Sequence, residues 1–525
     1  MEPLRDRLPQ AAGVTAMETT PAPSRLLYAT ILLLSLTEFL QAGMTAFAAG
    51  PIMGEVGIGP QEFSLVAAVH ASVAIVAISM QRWCVERIGG RRLVQACAAL
   101  SAAGALLCAT SDDFTSFLAG RAVMALGGGS FFTASRMIIQ HTLVGPKRFA
   151  GIRSLASGLA LGIAAAPWLA SLAVDAGHWS AIYGVVAALA AAIFVLAGLA
   201  LPTAPPVAST RTELHAGLQV LLAASSFLLV HALQRFQDDA SGAALPATLM
   251  LVSGLAGGLF YLHRQHRAAR PLLQVRALLQ PRYLGGLALF FTAYVMLGAN
   301  NFMAPALLVG TLGFAWETVG RIEAIGLGAA LLTWVALSRL LPRMPAPRKY
   351  LVTGFAALAC FGLLLARIDT GADLATHVLP ALALNSVFLL TVLPVAAMQT
   401  FRELEHDQTV FSHAQQLKNM LGQAGTAIGL TLASLGLQWR TAVHYDQLSA
   451  QATPYNPSFD AALHQLQQAF AAAMAPDDAA RAALAQVARL LAQQSAMLAH
   501  IDHFSTVALV GVLGIAVTLL QKVFR

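Results

Sequence analysis

An all-α membrane protein of about fourteen spanning helices is the fold class this sequence predicts. Three observations predict it: too few charges for a water-facing surface, spaced apolar windows of bilayer length, and arginines gathered in alternate loops. Of 525 residues, 57% are hydrophobic and 11% charged, and the mean hydropathy is +0.67. A soluble globular domain carries about 25% charged residues. Half that fraction leaves too little polar surface to face water, so lipid must cover the remainder. Cys84, Cys97, Cys108 and Cys360 form no C-x-x-C pair. They indicate neither a disulfide framework nor a zinc site, and they read as small apolar filler. No cofactor or metal is called for. The first 25 residues, rich in Pro, Arg and Thr, are expected to be a disordered cytoplasmic tail without a cleavable signal peptide.

A hydrocarbon core of about 30 Å needs roughly 20 apolar residues at 1.5 Å rise each. Windows of that kind fall at 27–49, 62–81, 92–110, 115–139, 151–173, 179–201, 215–234 and 244–262. After a basic linker they resume at 283–304, 316–341, 350–368, 374–398, 411–437 and 504–523. The even count is checked by charge. With the N-terminus inside, the inner loops hold Arg82–Arg92, Lys147–Arg153, Arg211, Arg264–Arg282, Arg339–Lys349, Arg402, Lys522 and Arg525. The short outer loops hold Glu55, Asp112, Asp113, Asp175, Asp238, Asp239, Asp369 and Asp373, with Arg235 and Arg367 as exceptions. This is the positive-inside pattern, with both termini cytoplasmic. The formal charge of +7 is thus a topology signal and does not point to nucleic acid. In the long outer segment 438–503, Asp477-Asp478 marks a helix start, and Leu484, Val487, Leu491 and Leu498 recur at helical spacing. A helical hairpin over 459–503 is expected.

Three stretches carry a resemblance. Arg82-Trp83-Cys84-Val85-Glu86-Arg87-Ile88-Gly89-Gly90-Arg91-Arg92 lies between the second and third spans. It resembles the major facilitator signature G-x-L-x-D-R-x-G-R-R, with Arg82 in place of its first Gly. A carboxylate, a turn glycine and clustered arginines can form a charge latch on the inner face. Gly120-Arg121 through Gly127-Gly128-Gly129 is similar to the superfamily's intramembrane G-R-x-x-x-G-x-G-x-G. Ala166-Pro167-Trp168 resembles its antiporter motif with the glycines replaced but Pro167 kept, a residue that frees a carbonyl and permits a bend. The chain thereby resembles the fourteen-spanner drug:proton antiporters, also at Arg440, His444 and Pro454 and at Gln493, Gln494, Ala499, Asp502 and Phe504. The resemblance implies a six-helix bundle over 26–201, two linking helices and a basic linker over 202–282, and a second bundle over 283–525 containing the outer hairpin 438–503. In this family such hairpins can meet a periplasmic adaptor, and through it an outer-membrane channel. The alternative is a hairpin that merely caps the outer mouth.

Ionisable groups inside spans are costly unless paired or hydrated, so each is a functional candidate. Glu38 lies about 11 residues into the first window, near mid-bilayer. It is read either as the proton-coupling acid or as an acid held by a structural partner. The resemblance gives Arg121 a part in proton coupling, against a reading in which it snorkels to the outer surface. Glu323 is a second candidate acid, whereas Glu317 and Arg321 form an ordinary i, i+4 pair. Gln41, Asn300, Asn301 and Gln416 are expected to line a substrate cavity. Glu86, Arg87, Gly89, Arg91 and Arg92 are expected to form the cytoplasmic gate. Lys418, if near the cavity, would favour an anionic substrate.

No G-x-x-x-x-G-K-[ST] run supports direct ATP coupling and no H-E-x-x-H cluster supports an enzyme. The reading favoured is a proton-coupled exporter of drug-like or amphipathic small molecules in the inner membrane, a multidrug-resistance type. An importer of a small nutrient on the same fold and a membrane-embedded sensor or enzyme stand as the alternatives.

Overall fold

The computed structural model describes residues 25–203, 212–235, 244–344, 346–369, 371–404, 406–453 and 455–524. The expected tail over 1–24, Arg211, Asp238, Asp239, Pro454 and Arg525 lie outside them. Among the described residues, fourteen helices are long and apolar enough to cross a bilayer. They are α1 (Arg25–Phe47), α2 (Pro60–Ile88), α3 (Gly90–Ala109), α4 (Phe114–Thr142), α5 (Pro146–Asp175), α6 (Ala181–Ala200) and α7 (Ala216–Arg235). The others are α8 (Leu245–Arg267), α9 (Pro281–Thr311), α10 (Trp316–Arg343), α11 (Pro347–Leu365), α12 (Leu374–Phe401), α13 (Thr409–Ser449) and α14 (Pro476–Leu520). Their outward sides are apolar, with Leu332 74% and Leu199 69% exposed, as lipid requires. Each apolar window read from the sequence falls on one of these helices.

Packing follows a repeat. In the first half α1 lies along α5, and α3 packs on α4 and α6; in the second, α9 lies along α13, and α11 packs on α12 and α14. The halves meet where α5 crosses α10 and where α2 crosses α13. Helices α7 and α8 pack on each other, and α7 leans on α2 and α13. The equivalent within-half pairs approach at backbone distance. A Cβ on Gly158 would stand 2.3 Å from the Leu32 carbonyl oxygen on α1, and one on Gly429 2.0 Å from that of Val295 on α9. Small residues at such crossings let the backbones touch, which drives helix association where lipid removes the hydrophobic effect.

Several helices depart from plain rods. A turn at Gly129–Ser130 splits α4 into Phe114–Gly128 and Phe131–Thr142. The end of α9 widens into a π-helix over Ala306–Thr311 directly after Pro305. Asp113 caps α4 by accepting the Ser116 N–H at 2.7 Å, which holds its carboxyl below the usual carboxylate range.

The outer segment is more helical than its hydropathy implies. Helix α13 covers 41 residues and α14 covers 45, or about 62 and 68 Å at 1.5 Å per residue. Both exceed the ~30 Å hydrocarbon core twofold, so they project together beyond it, joined by a helix over Pro457–Ala471. The hairpin is therefore a continuation of two spanning helices. At its base the Asp502 carboxylate accepts from Arg440 Nε at 2.7 Å and from His444 Nε2 at 2.8 Å, and Gln493 donates to the Thr311 carbonyl at 2.9 Å.

Gly158→Ala is expected to lower the melting temperature of the purified protein, as overpacking of about 1–3 kcal/mol would. Gly258→Ala, where a Cβ meets nothing within 4 Å, should not. Equal melting of the two variants would contradict the close approach of α1 and α5.

Candidate functional site

The break in α4 generates the centre of the molecule. A helix start leaves its first backbone N–H groups without intrahelical partners, and here the start falls inside the bundle. The Phe132 N–H donates to Glu38 Oε2 on α1 at 2.5 Å. The N-terminus of a half-helix favours a negative charge through its aligned peptide dipoles. Glu38 Oε1 accepts from Gln423 Nε2 on α13 at 3.0 Å, and Gln423 also reaches the Gly129 carbonyl at 3.2 Å. One carboxylate thus joins α1, the α4 break and α13, across the boundary between the halves.

Glu38 lines a central cavity of about 100 Å³ between α1, α2, α4, α9 and α13, enough for several water molecules. Arg121 lines the same cavity, buried at 6% exposure. Its Nη1 donates to Thr45 Oγ1 at 3.5 Å, while its carbonyl accepts from His70 Nδ1 at 3.1 Å. It therefore points inward and does not snorkel. Lys418 stands behind Phe132. Its Nζ lies 4.7 Å from the Phe132 ring centroid, 5.2 Å from that of Phe290, and 3.5 Å from Tyr294 Oη, so its amine is enclosed by aromatic rings.

Contacts between the halves flank this cavity at both ends. Toward the arginine-rich end, Asn419 Nδ2 donates to Thr133 Oγ1 at 2.6 Å and Gln416 Nε2 to the Ile78 carbonyl at 3.1 Å. Further out, Arg82 Nη1 donates to His413 Nε2 at 2.7 Å. Toward the hairpin end, α5 and α10 touch at Pro167. A Cβ on Gly320 would lie 2.8 Å from the Pro167 carbonyl and 2.1 Å from Ser171 Oγ. Phe47 and Trp316 meet edge to face there, with ring centroids 5.5 Å apart.

The expected gate residues assemble at the arginine-rich end. Glu86 accepts from Arg82 Nε at 2.9 Å, and from the backbone N–H and hydroxyl of Thr212 at 2.7 and 2.8 Å. Arg87 donates to the Thr212 carbonyl at 3.2 Å and stacks on Trp83 at 4.2 Å. Gly89 takes φ of 82°, which only glycine adopts freely, and so turns the chain from α2 into α3. Arg91 donates to Thr203 at 3.1 Å, and Arg92 is exposed. Arg82, where the superfamily pattern has glycine, is the residue that reaches the other half.

Of the polar residues expected at the substrate cavity, Gln41 and Asn301 line it. Asn300 is turned away and donates to Asn385 on α12 at 2.9 Å, while Gln416 lines a second cavity nearer the arginine-rich end. Glu323 is 3% exposed and lies on α10 between Gly320, which faces α5, and Gly326, which faces α12. Its Oε1 has no hydrogen-bond partner among the described residues, and it does not line the central cavity. The sequence reading missed Gln423, Thr45 and Thr133. Only the glycine run Gly127–Gly129 signalled that α4 breaks where Glu38 needs a donor.

The sequence profile of the Major Facilitator Superfamily matches residues 31–438. The drug efflux pump JefA of Mycobacterium tuberculosis is 25% identical over 209 residues, 39% of this chain and 40% of that protein. The chain thus matches well under two thirds of that relative's length. The colistin resistance protein EmrB of Acinetobacter baumannii is 23% identical over 446 residues, 82% of this chain and 81% of that one. The lincomycin resistance protein LmrB of Listeria monocytogenes is 24% identical over 351 residues, covering 64% and 71%. Among solved structures, a bacterial homologue of the lysosomal transporter Spinster superposes with a TM-score of 0.57 at 14% identity, covering 95% of this chain and 97% of that one. A POT family transporter in complex with 5-aminolevulinic acid gives 0.58, also at 14%, covering 95% and 96%. With its profile matching most of the chain and its helices arranged as in solved transporters, the protein belongs to the Major Facilitator Superfamily of membrane transporters.

Proposed function

We propose that the protein exports drug-like or amphipathic small molecules across the inner membrane by alternating access, driven by protons entering in exchange. Glu38 carries this reading. It is a carboxylate inside the central cavity, and its hydrogen bonds tie the α4 break to α13 of the opposite half. Protonation removes its charge and weakens both bonds, which frees Gln423 and lets the halves rotate. Loss of the proton restores the bridge. Arg121 supplies a fixed positive charge on the same wall, Gln41 and Asn301 contact substrate, and Glu323 is a second acid at the α5–α10–α12 contact. The relatives named as drug exporters support the direction of transport.

In this reading the N-terminal bundle over 26–201 and the C-terminal bundle over 283–525 rock about the linking helices. Both termini are cytoplasmic, Pro167 sets the outer contact, and Glu86, Arg87, Gly89, Arg91 and Arg92 form the inner gate. The hairpin projects into the periplasm. Its connecting helix Pro457–Ala471 buries no residue, which suits docking of an adaptor protein that leads to an outer-membrane channel.

In inside-out vesicles energised by a proton gradient, the wild type should accumulate ethidium and release it on addition of an uncoupler. Glu38→Gln should lower the accumulation by at least ~10-fold, a change of ~1.4 kcal/mol or more. Full accumulation by the variant would remove Glu38 from proton coupling. For the gate, the native cysteines are replaced by alanine and Ser412→Cys is introduced as the probe. Arg82→Ala should then raise its labelling by an impermeant maleimide several-fold (~3–10) over the Arg82 background, as loss of about 1 kcal/mol of closing contact allows. Unchanged labelling would mean that the Arg82–His413 contact does not close the gate. Reporter fusions after Arg267 and within the hairpin at Ala472 should report opposite sides; the same side for both would overturn the orientation.

A further inference from the structure

A second cavity, of about 430 Å³, lies at the arginine-rich end between α2, α4 and α13, within the size range of small-molecule sites. Arg82, Arg91 and Arg136 line it, against one carboxylate, Glu86. Glu86 is already engaged by Arg82 and Thr212, and Arg91 by Thr203. Arg136 makes no hydrogen bond among the described residues, and its Nε is fully buried. The Gln140 side-chain amide nitrogen, one turn further along α4, is likewise buried without a partner. So are both amide atoms of Gln415 on α13, a residue only 3% exposed. Three side chains around one cavity therefore carry N–H groups that meet no acceptor.

Charges nearby do not supply the missing acceptor. Arg148, Lys418 and the Tyr294 phenol lie within electrostatic range of Arg136, and none of them is a carboxylate. A guanidinium inside a membrane protein is normally paired, and its planar fork fits a carboxylate, sulfonate or phosphate. The rest of the wall includes Val85, Met137, Ile138 and Leu201, which suit an apolar body. Thr133 lines this cavity and Asn419 lines the central one, so their hydrogen bond is the septum between the two.

We propose that this cavity binds the anionic head of an amphipathic substrate, with Arg136 as its ion-pair partner and Gln140 and Gln415 as further donors. The inference deepens the exporter reading, on which it rests, by naming acidic amphiphiles as a substrate class. It also places their first contact on the arginine-rich side of the septum.

The test is equilibrium binding to the full chain in phosphatidylcholine nanodiscs, with no proton gradient. The probes are carboxyfluorescein and the cationic dye rhodamine 6G. Saturable carboxyfluorescein binding is expected, weakened by a factor of at least ~10 in Arg136→Gln and less in Arg136→Lys, with rhodamine 6G binding unchanged. Gln415→Leu should also weaken the anion alone, and it serves should Arg136→Gln fail to melt as the wild type does. Absence of saturable binding to the wild type, or wild-type carboxyfluorescein affinity in both Arg136→Gln and Gln415→Leu, would overturn the proposal. Loss of dye binding in nanodiscs doped with phosphatidylglycerol would overturn it too, by assigning the cavity to a lipid headgroup. Ethidium accumulation in vesicles reads the exporter proposal separately, so each can fail without the other.

Discussion

A helix broken in mid-membrane exposes backbone N–H groups where no bulk water can satisfy them. In hydrocarbon each such group costs several kcal/mol. The turn at Gly129–Ser130 is therefore permissible only because the surrounding chain supplies partners. Ala125 and Gly127 carbonyls accept from Gly129 and Ser130, and Glu38 accepts from Phe132. That requirement fixes the rotation of α1, since its acid must face α4, and it draws α13 to the same point through Gln423. The position of an acid deep in the first span and the glycine run in the fourth are two halves of one structural demand.

Contacts within the halves differ in kind from those that α13 makes across the boundary to α2 and α4. Inside each half, glycines bring backbones together at the α1–α5 and α9–α13 crossings, and close-packed surfaces of that kind resist sliding. On the side where α13 meets α2 and α4, the halves are joined by single polar side chains: Asn419 to Thr133, Gln416 to the Ile78 carbonyl, and Ser64 to Thr431 at 2.7 Å, whereas α5 and α10 meet closely at Gly320 and Pro167. Hydrogen bonds of this sort inside a membrane are worth about 0.6 to 2 kcal/mol each, little enough to break and remake. The linking helix α7 joins that polar set, with Gln234 donating to Ser64 at 2.8 Å. In the proposed alternating access, these weak, reversible bonds are the ones that break and re-form.

The spans were legible because bilayer thickness imposes a length that hydropathy reports directly. The extension of α14 was read from the helix start at Asp477-Asp478, but that of α13 past 437 was not, because hydropathy changes at the interface while the i to i−4 hydrogen-bond ladder continues past it. Glu38 could be placed by counting residues, yet its partner could not. On α13 polar residues recur at Gln415, Gln416, Asn419 and Gln423, and only the helix rotation decides which of them face the central cavity. Asn300 and Asn301 show the same limit. Neighbours on a helix point about 100° apart, so one meets α12 and the other the cavity. The gate motif was readable as a charge cluster, but Thr212 entered it from a linker with no signal of its own.

The proposed proton site and the proposed anion site meet across one peptide bond. Phe132 gives its backbone N–H to Glu38, and Thr133, the next residue, holds the septum closed through Asn419. Opposite them, Lys418 rests on the Phe132 ring while Asn419 reaches Thr133. Phe132 and Thr133, adjacent on α4, therefore carry both contacts. In the proposed cycle, a shift of the α4 half-helix start on protonation of Glu38 cannot leave the Thr133–Asn419 bond in place, because the same backbone segment bears both. Coupling between proton and substrate then needs no long-range relay. It follows from the break in α4 standing where the two cavities adjoin.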